Sequence, residues 1–269
     1  MIKTFRKIRQ NLLIQNKTSS YFKYAIGEIA LVMVGILLAL QVSNWNQNVQ
    51  KEKLEIKLLS KLQEDLTNMY SDIVNDLKTM QLGDRSHFRI LNYIDKNQTY
   101  KDSMCFDFYW LIKDEYIYPV TSTYDVMKRE GLNIIKNDSI RLSIQVAFES
   151  VFSRLVRSNA FYPNIEEFFS PYFQQNFSPN NDDTLIFKEQ FPGYMQVFPY
   201  KKKINNEVYN ITIGYVPKAF EKLKKDPIFS MLLRQAYSYR TYKINRYRSA
   251  KYVVKELNKM IDRELKKRK

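Results

Sequence analysis

One apolar stretch constrains the fold of this chain more than any other feature. It runs from Tyr24 to Leu40, seventeen residues with a single charged side chain, Glu28. A helix of about 20 residues crosses a hydrocarbon layer of about 30 Å, so residues 24–45 suffice if Tyr24 and Trp45 lie at the two headgroup levels. Glu28 lies one turn inside the segment, where a carboxylate can reach the interface. The sequence therefore predicts a transmembrane helix over residues 24–45.

Two other interpretations of this stretch compete with a membrane anchor. A cleavable signal peptide would need a shorter leading segment and a pair of small residues at the end of the apolar run, where Leu37 instead precedes Ala39 and Gln41 precedes Ser43. A core helix of a soluble protein would more often be shorter or carry a polar face. The sequence lacks the features that either alternative requires, so it favours the membrane anchor.

The charge of the chain is concentrated at its two ends. The formal net charge is +15, residues 1–23 hold six basic side chains and no acid, and residues 234–269 hold thirteen basic side chains against three acids. The positive-inside rule favours a cytoplasmic tail at 1–23 and an exported domain at 46–269. A single cysteine, Cys105, suits an oxidising compartment because it has no partner in the chain for mispairing. We therefore expect a single-pass inner-membrane protein with a periplasmic C-terminal domain.

One face of the predicted membrane helix carries small residues. Gly35, Ala39 and Ser43 follow one another at intervals of four, and Glu28 falls on the same side seven residues before Gly35. Small residues at this spacing let two membrane helices approach closely, although they are also common in membrane helices that do not pair. The pattern predicts a packing face for a homo-oligomer or an envelope protein partner, in addition to the lipid bilayer itself.

The remainder of the chain has helical periodicity over three long segments, residues 50–96, 138–160 and 227–266. In the first, the apolar residues at intervals of three and four are Leu54, Leu58, Leu62, Leu66, Met69, Ile73, Leu77 and Met80, and the helix ends at Gly83 or resumes to about Lys96. The predicted class is therefore all-α: a single transmembrane helix followed by an elongated helical bundle. A minor irregular segment at 178–216 includes a β-hairpin around Asn205 and Asn206.

Local signals predict where several helices begin and end. Ser122 and Asp125 have capping-box spacing and Gly131 suits a helix end. Asn137 and Asp138 supply an N-cap, and Asp226 with Pro227 opens the last long helix. The aromatic-rich segment 161–177 is expected chiefly to pack between helices, with a ligand pocket as the alternative.

The last helix combines basic residues with tyrosines. The predicted basic surface consists of Arg234, Arg240, Lys243, Arg246, Arg248 and Lys251. Basic and aromatic side chains together can bind nucleic acid, cover a bundle surface with their long stems, or contact anionic lipid headgroups. An exported domain meets little nucleic acid, so we expect a solvated or lipid-facing surface. The alternative is a cytoplasm-facing domain that tethers nucleic acid.

The sequence contains few of the residue patterns that catalysis requires. There is one histidine, His87, which we place at a helix break between Arg85 and Arg89, and the six glycines are too dispersed for a phosphate loop. Adjacent acids occur at Glu64–Asp65, Asp114–Glu115, Glu166–Glu167 and Asp182–Asp183. Adjacent helical residues point about 100° apart, so we expect solvated pairs. We therefore expect no cofactor, no metal site and no enzymatic activity, and a scaffold or sensor-like binding role.

Three segments together resemble a known family. They are MIKTFRKIRQNLL at the start, YFKYAIGEIALVMVGILLALQVSNWN at 21–46, and TSTYDVMKREG at 121–131. They are similar to uncharacterised single-pass membrane proteins, classed as a domain of unknown function, common in Bacteroidota. The resemblance is most specific over the first fifty residues. It implies an inner-membrane protein with a helical soluble domain, and it implies no catalytic residues.

Overall fold

The computed structural model describes residues 18–159 and 163–268 of the 269-residue chain. It divides into two compact units, Met1–Lys57 and Leu58–Lys269. The predicted N-terminal tail holds six basic residues, and five of them, at positions 3–17, lie outside the described residues. The first described element, helix α1 (Thr18–Asp95), runs through the boundary between the two units.

The described part of the first unit is helical, and its apolar side chains between positions 29 and 48 face outward. Every residue from 29 to 48 is exposed, including Leu37 and Trp45. The helix is long and apolar enough to cross a membrane. The predicted membrane segment is thus helical throughout, as part of α1, and no described residue covers its apolar side chains between positions 29 and 48.

In the second unit, α1 buries the predicted stripe. From Leu58 to Met80 each predicted apolar position is at most 6% exposed. Helix α1 continues through Gly83 to Asp95, so the predicted resumption is right and Gly83 does not end the helix. The amphipathic helix and the membrane segment are one element, because neither proline nor a capping glycine interrupts the chain between them.

The last long helix, α7 (Pro227–Lys266), lies antiparallel to α1 within the second unit and has the bounds that the sequence predicts. The Asp226 carboxylate accepts a hydrogen bond from the backbone N–H of Ile228 at 2.8 Å, which satisfies one of the free donors of the first turn. The Asn258 amide donates to the Thr67 hydroxyl at 3.1 Å, which places the C-terminal half of α7 beside the early part of α1 in this unit.

Shorter helices complete the helical part. They are α2 (Cys105–Ile112), α3 (Ser122–Glu130), α4 (Asp138–Gln145), α5 (Ile165–Asn176) and α6 (Phe220–Leu223). Helix α3 has Thr121 at its N-cap and ends at Gly131, whose φ of 87° is in the left-handed region. The predicted end is therefore confirmed, whereas the N-cap is Thr121 and not Ser122. Asn137 caps α4 by accepting hydrogen bonds from the N–H groups of Ser139 and Ile140, as predicted.

The predicted helix over 138–160 is wrong beyond Gln145. The chain continues there as a π-helical turn, Val146–Val151, and then as 3₁₀ turns. The wider turn brings Phe148 over the Tyr124 ring at 4.5 Å and the Glu149 carboxylate to the Tyr124 hydroxyl at 2.5 Å. The Tyr124–Glu149 hydrogen bond joins residues 25 positions apart, so the helical period of the segment alone does not indicate these contacts with α3.

The β structure exceeds the single predicted hairpin. The described residues form three antiparallel two-stranded pairs: β1 (Phe177–Pro179) with β6 (Tyr215–Pro217), β2 (Phe187–Phe191) with β3 (Tyr194–Phe198), and β4 (Tyr200–Ile204) with β5 (Glu207–Ile211). The predicted hairpin is confirmed: Asn205 and Asn206 have φ values of 48° and 65°, as a tight turn of two left-handed residues requires. The fold is mostly helical, as predicted, with a larger β portion.

Aromatic side chains form much of the core between α2, α5 and α7. Phe108, Phe169 and Phe229 are fully buried, and Phe173 stacks on Phe177 with ring centroids 4.1 Å apart. The described part of the aromatic segment 161–177 therefore packs between helices, while Phe161 and Tyr162 lie outside the described residues.

Candidate functional site

The predicted packing face of the membrane helix is open in the structure. Gly35, Ala39 and Ser43 are exposed, and a Cβ placed on Gly35 would meet no atom within 4 Å. Helix pairing through Glu28 and these small residues stays a prediction.

The predicted basic surface on α7 is only partly a surface. Arg234 and Arg248 are exposed, and the Arg246 guanidinium lies 5.0 Å from the centre of the Tyr242 ring. Lys251 is half-buried, with its ammonium 5.7 Å from the centre of the Tyr70 ring. Arg240 and Lys243 are buried, so their assignment to this surface is wrong. Both face inward because α7 presents Arg240 to the last turn of α2 and Lys243 to the loop that follows it.

The Lys243 ammonium lies in a polar site formed by a carboxylate, a backbone carbonyl and an aromatic ring. It donates to the Asp114 carboxylate at 2.8 Å and to the Glu115 carbonyl at 2.9 Å, and it lies 3.6 Å from the centre of the Tyr116 ring. The other Asp114 oxygen accepts the backbone N–H of Ile165 at 3.0 Å. One carboxylate thus joins α7, the loop after α2 and the start of α5.

The Asp114–Glu115 pair is therefore not a solvated pair, contrary to the prediction. The Asp114 side chain is 2% exposed. The pair follows the last turn of α2 in an extended loop, so the argument from helical geometry does not apply to it. The sequence around Asp114 does not indicate its burial, because its partner Lys243 lies 129 positions away in the chain.

Arg240 lies deeper in the same region and is fully buried. Its guanidinium donates to the Leu111 carbonyl and packs against Gly83, where an added Cβ would lie 2.8 Å from both Arg240 Nε and the Trp110 carbonyl oxygen. The Nε and Nη1 atoms have no hydrogen-bond partner among the described residues. Burial lowers the pKa of Arg240 to about 10, while Asp114 and Asp84 oppose that shift. The group stays charged near neutral pH.

The carboxyl group of Asp76, on α1, faces this region and has a raised pKa. Burial, reinforced by the Glu115 carboxylate, raises the pKa of Asp76 from 3.8 to about 7. The Tyr247 hydroxyl and Lys243 act in the opposite direction, and Asp72 adds a smaller upward shift. Asp76 thus changes charge near neutral pH, at the edge of a buried polar cluster.

We expect replacement of Asp76 by asparagine to stabilise the fold in a pH-dependent way. The folded state holds a proton on Asp76 between about pH 4 and pH 7, whereas the unfolded state has released it, so wild-type stability from this group falls as pH rises through that range. The gain in the free energy of unfolding of D76N over wild type should be near zero at pH 4, grow up to pH 7 and be constant above. Urea unfolding at several pH values measures it. A pH-independent difference would contradict the raised pKa.

His87 lies within α1 and not at a helix break, which corrects the prediction. It is buried and stacks on Tyr237 with ring centroids 5.2 Å apart, and its Nδ1 atom has no hydrogen-bond partner among the described residues. Burial and the nearby Arg240 lower its pKa to about 4, so the imidazole is neutral at physiological pH. The ring serves packing, and no described acid orients it as a triad requires.

Cys105 begins α2 and is buried against Gly214, where an added Cβ would lie 2.8 Å from the sulfur. Burial raises the pKa of the Cys105 thiol to about 12. A thiol attacks as the thiolate, so this group is protonated and unreactive near neutral pH.

One cavity of about 480 Å³ opens between α5 and the β1–β6 pair. Phe173, Phe177 and Tyr215 contribute apolar surface, and Glu166 and Ser170 contribute polar atoms. The Lys113 ammonium lies 3.1 Å from the Glu166 carboxylate. The aromatic segment thus packs the core, as predicted, and also lines this cavity, whose use as a ligand pocket stays a prediction.

Comparison with known proteins adds no family to this picture. The chain matches no protein-family model, no curated protein and no solved structure. The resemblance to single-pass membrane proteins of Bacteroidota therefore rests on the quoted residues. The described residues offer an exposed apolar helix, a buried ionic cluster and open cavities on the folded unit.

Proposed function

We propose that this protein is a non-enzymatic binding module anchored in the inner membrane of a Gram-negative envelope. The exposed apolar helix carries the proposal. Residues such as Leu31, Leu37 and Trp45 are each more than half exposed. Exposing so large an apolar surface to water is unfavourable, and the bilayer is the solvent in which it is not. The distribution of basic residues supports a cytoplasmic N-terminus and a periplasmic domain.

The use of the polar residues supports a binding role over catalysis. Lys243 and Asp114 are each held by several partners inside the fold, His87 is neutral and stacked, and Cys105 is protonated. Catalytic groups need access to a substrate in a shared cleft, and these four are occupied by the fold itself. A scaffold or sensor-like module needs only surfaces and cavities, which the folded unit offers to an envelope protein or a second copy.

Reporter fusions to the C-terminus test the anchor and the topology. We expect alkaline phosphatase fused after Lys269 to be active and a cytoplasm-dependent reporter at the same place to be inactive, because the first enzyme folds only after export. The matched control deletes residues 1–45, which should remove phosphatase activity and release the chain from membranes. An active cytoplasmic reporter would overturn the orientation and make salt-dependent nucleic-acid binding by α7 the next measurement.

A further inference from the structure

The β4–β5 hairpin differs from the other two strand pairs in its contacts with the helices. In the β2–β3 pair, the Glu189 carboxylate lies 2.5 Å from the Lys78 ammonium of α1. In the β1–β6 pair, Phe177 is buried and stacks on Phe173 of α5. Nine of the ten residues of β4 and β5, by contrast, are exposed, and the tenth is half-buried. Both faces of this hairpin are therefore open to a partner.

The hairpin exposes apolar side chains on both of its faces. Tyr209 lies opposite Lys202 and Val208 lies opposite Lys203, so Tyr209 and Val208 point to opposite faces. Tyr209 is 45% exposed and Val208 is 63% exposed. A two-stranded hairpin is marginally stable alone in water, and further strands stabilise it. A partner that extends this sheet would therefore stabilise the hairpin.

Strand β5 has a free backbone edge. Among the described residues, β4 and β5 pair only with each other. The tight turn at 205–206 closes on Ile204 and Glu207, which are the hydrogen-bonded pair of such a turn. Bonded and non-bonded pairs alternate along an antiparallel ladder, so Val208 and Asn210 direct their backbone N–H and C=O groups away from β4. These groups can bond to a further strand.

The two edges of the hairpin differ in charge. Strand β4 carries Lys201, Lys202 and Lys203 in succession, so antiparallel pairing of two β4 strands in register would set lysine opposite lysine. Lysines on an edge strand deter edge-to-edge pairing. Strand β5 carries a single charged residue, Glu207, at its turn end. The β4 edge therefore disfavours pairing with its own copy, whereas the β5 edge does not.

We propose that β5 pairs antiparallel with β5 of a second copy of this chain, which joins the two hairpins in one four-stranded sheet. With Tyr209 opposite its own copy, Val208 faces Asn210 and Glu207 faces Ile211 of the second copy. The outward backbone groups of Val208 and Asn210 then bond to each other across the two chains. The two Glu207 side chains lie at opposite ends of the pairing, so no like charges meet. The contact is isologous and closes on a dimer.

A single cysteine placed on β5 tests this register. At a non-bonded pair the opposite Cα atoms lie about 4.5 Å apart, which a disulfide can span. We expect mild oxidation of the full chain in detergent micelles to link two Y209C chains. The matched control is K202C, on the same face of β4, whose copies would lie about 14 Å apart, too far for a disulfide. The yield of linked dimer from Y209C should exceed that from K202C at least about tenfold.

Two proline variants test the backbone bonds. V208P removes an outward N–H from the β5 edge, and K203P removes an outward N–H from the β4 edge at the position directly opposite. We expect V208P to raise the dissociation constant of the dimer about tenfold, because each copy loses one donor of the pairing. K203P should change it by less than about twofold, because the β4 edge takes no part. Sedimentation equilibrium of the full chain in density-matched micelles measures both.

The outcomes separate strand pairing from other modes of association. Equal disulfide yields from Y209C and K202C, or equal dissociation constants for V208P and K203P, would overturn the pairing. A dimer that persists in V208P and is lost in A39L would assign the association to the membrane helix and would also overturn it. The pairing rests on the proposed binding role and names its partner. Micelles hold the chain whatever the reporter fusions show, so failure of the pairing is distinguishable from failure of the anchor.

Discussion

Replacing Asp114 with alanine is expected to lower the free energy of unfolding by about 3 to 5 kcal/mol, the cost of removing one partner from a buried ion pair. Of its direct contacts among the described residues, the Lys243 ammonium would keep the Glu115 carbonyl and the Tyr116 ring, in a site where its side chain is 11% exposed. The Ile165 N–H would also lose its acceptor at the start of α5. This is the largest single effect that we expect in the folded unit.

Urea unfolding of the full chain in detergent micelles measures this loss. Trp110 is 3% exposed and reports on the second unit once Trp45 has been replaced by phenylalanine. The control is E256A, which removes an exposed partner of Lys259 and should cost less than about 1 kcal/mol. Adding K243M to D114A should recover much of the loss, because the uncompensated charge is then removed. A loss below about 1 kcal/mol for D114A would mean that the pair is solvated.

Replacing Gly83 with alanine is expected to destabilise the fold by about 1 to 3 kcal/mol, as overpacking of a tight interior does. Helix propensity predicts the opposite sign, since alanine in a helix interior is favoured over glycine by about 1 kcal/mol. Steric contact decides here: the new Cβ would lie 2.8 Å from Arg240 Nε and 2.8 Å from the Trp110 carbonyl oxygen. The second neighbour is backbone of α2 and cannot rotate away.

The same unfolding measurement, with Q81A as its control, tests whether G83A lowers or raises the stability of the fold. Gln81 is exposed on α1 two residues before Gly83, so its replacement by alanine should change the stability by less than about 0.5 kcal/mol. A stabilised G83A variant would show that α1 and Arg240 separate without cost, and would contradict the close packing on which the Arg240 site depends.

Several elements were predictable because their signals are local. The N-cap residues Asn137 and Asp226 act on N–H groups two or three residues away, and the Asn205–Asn206 turn needs only two left-handed residues. The stripe from Leu58 to Met80 follows from the helical period. Such interactions lie within one turn, so a single segment of sequence contains them completely.

The buried contacts of Lys243 and Arg240 were not predictable, because their partners lie far away in the chain. Lys243 meets Asp114 across 129 positions, and Arg240 meets the Leu111 carbonyl across the same separation. A basic residue beside tyrosines on a helix has the same local pattern whether it faces water or a distant loop. The π turn at Val146–Val151 likewise depends on Tyr124, which the period of its own segment does not include.

Hydropathy, capping and periodicity are properties of contiguous residues, so the amino-acid sequence predicts the apolar helical segment over 24–45, the starts of α4 and α7 and the mostly helical class. Which charges are buried, and why Gly83 is needed inside α1, depends instead on contacts between distant segments. The physical reason is that the burial of a charge is set by the partners that surround it, and those partners come from distant parts of the chain.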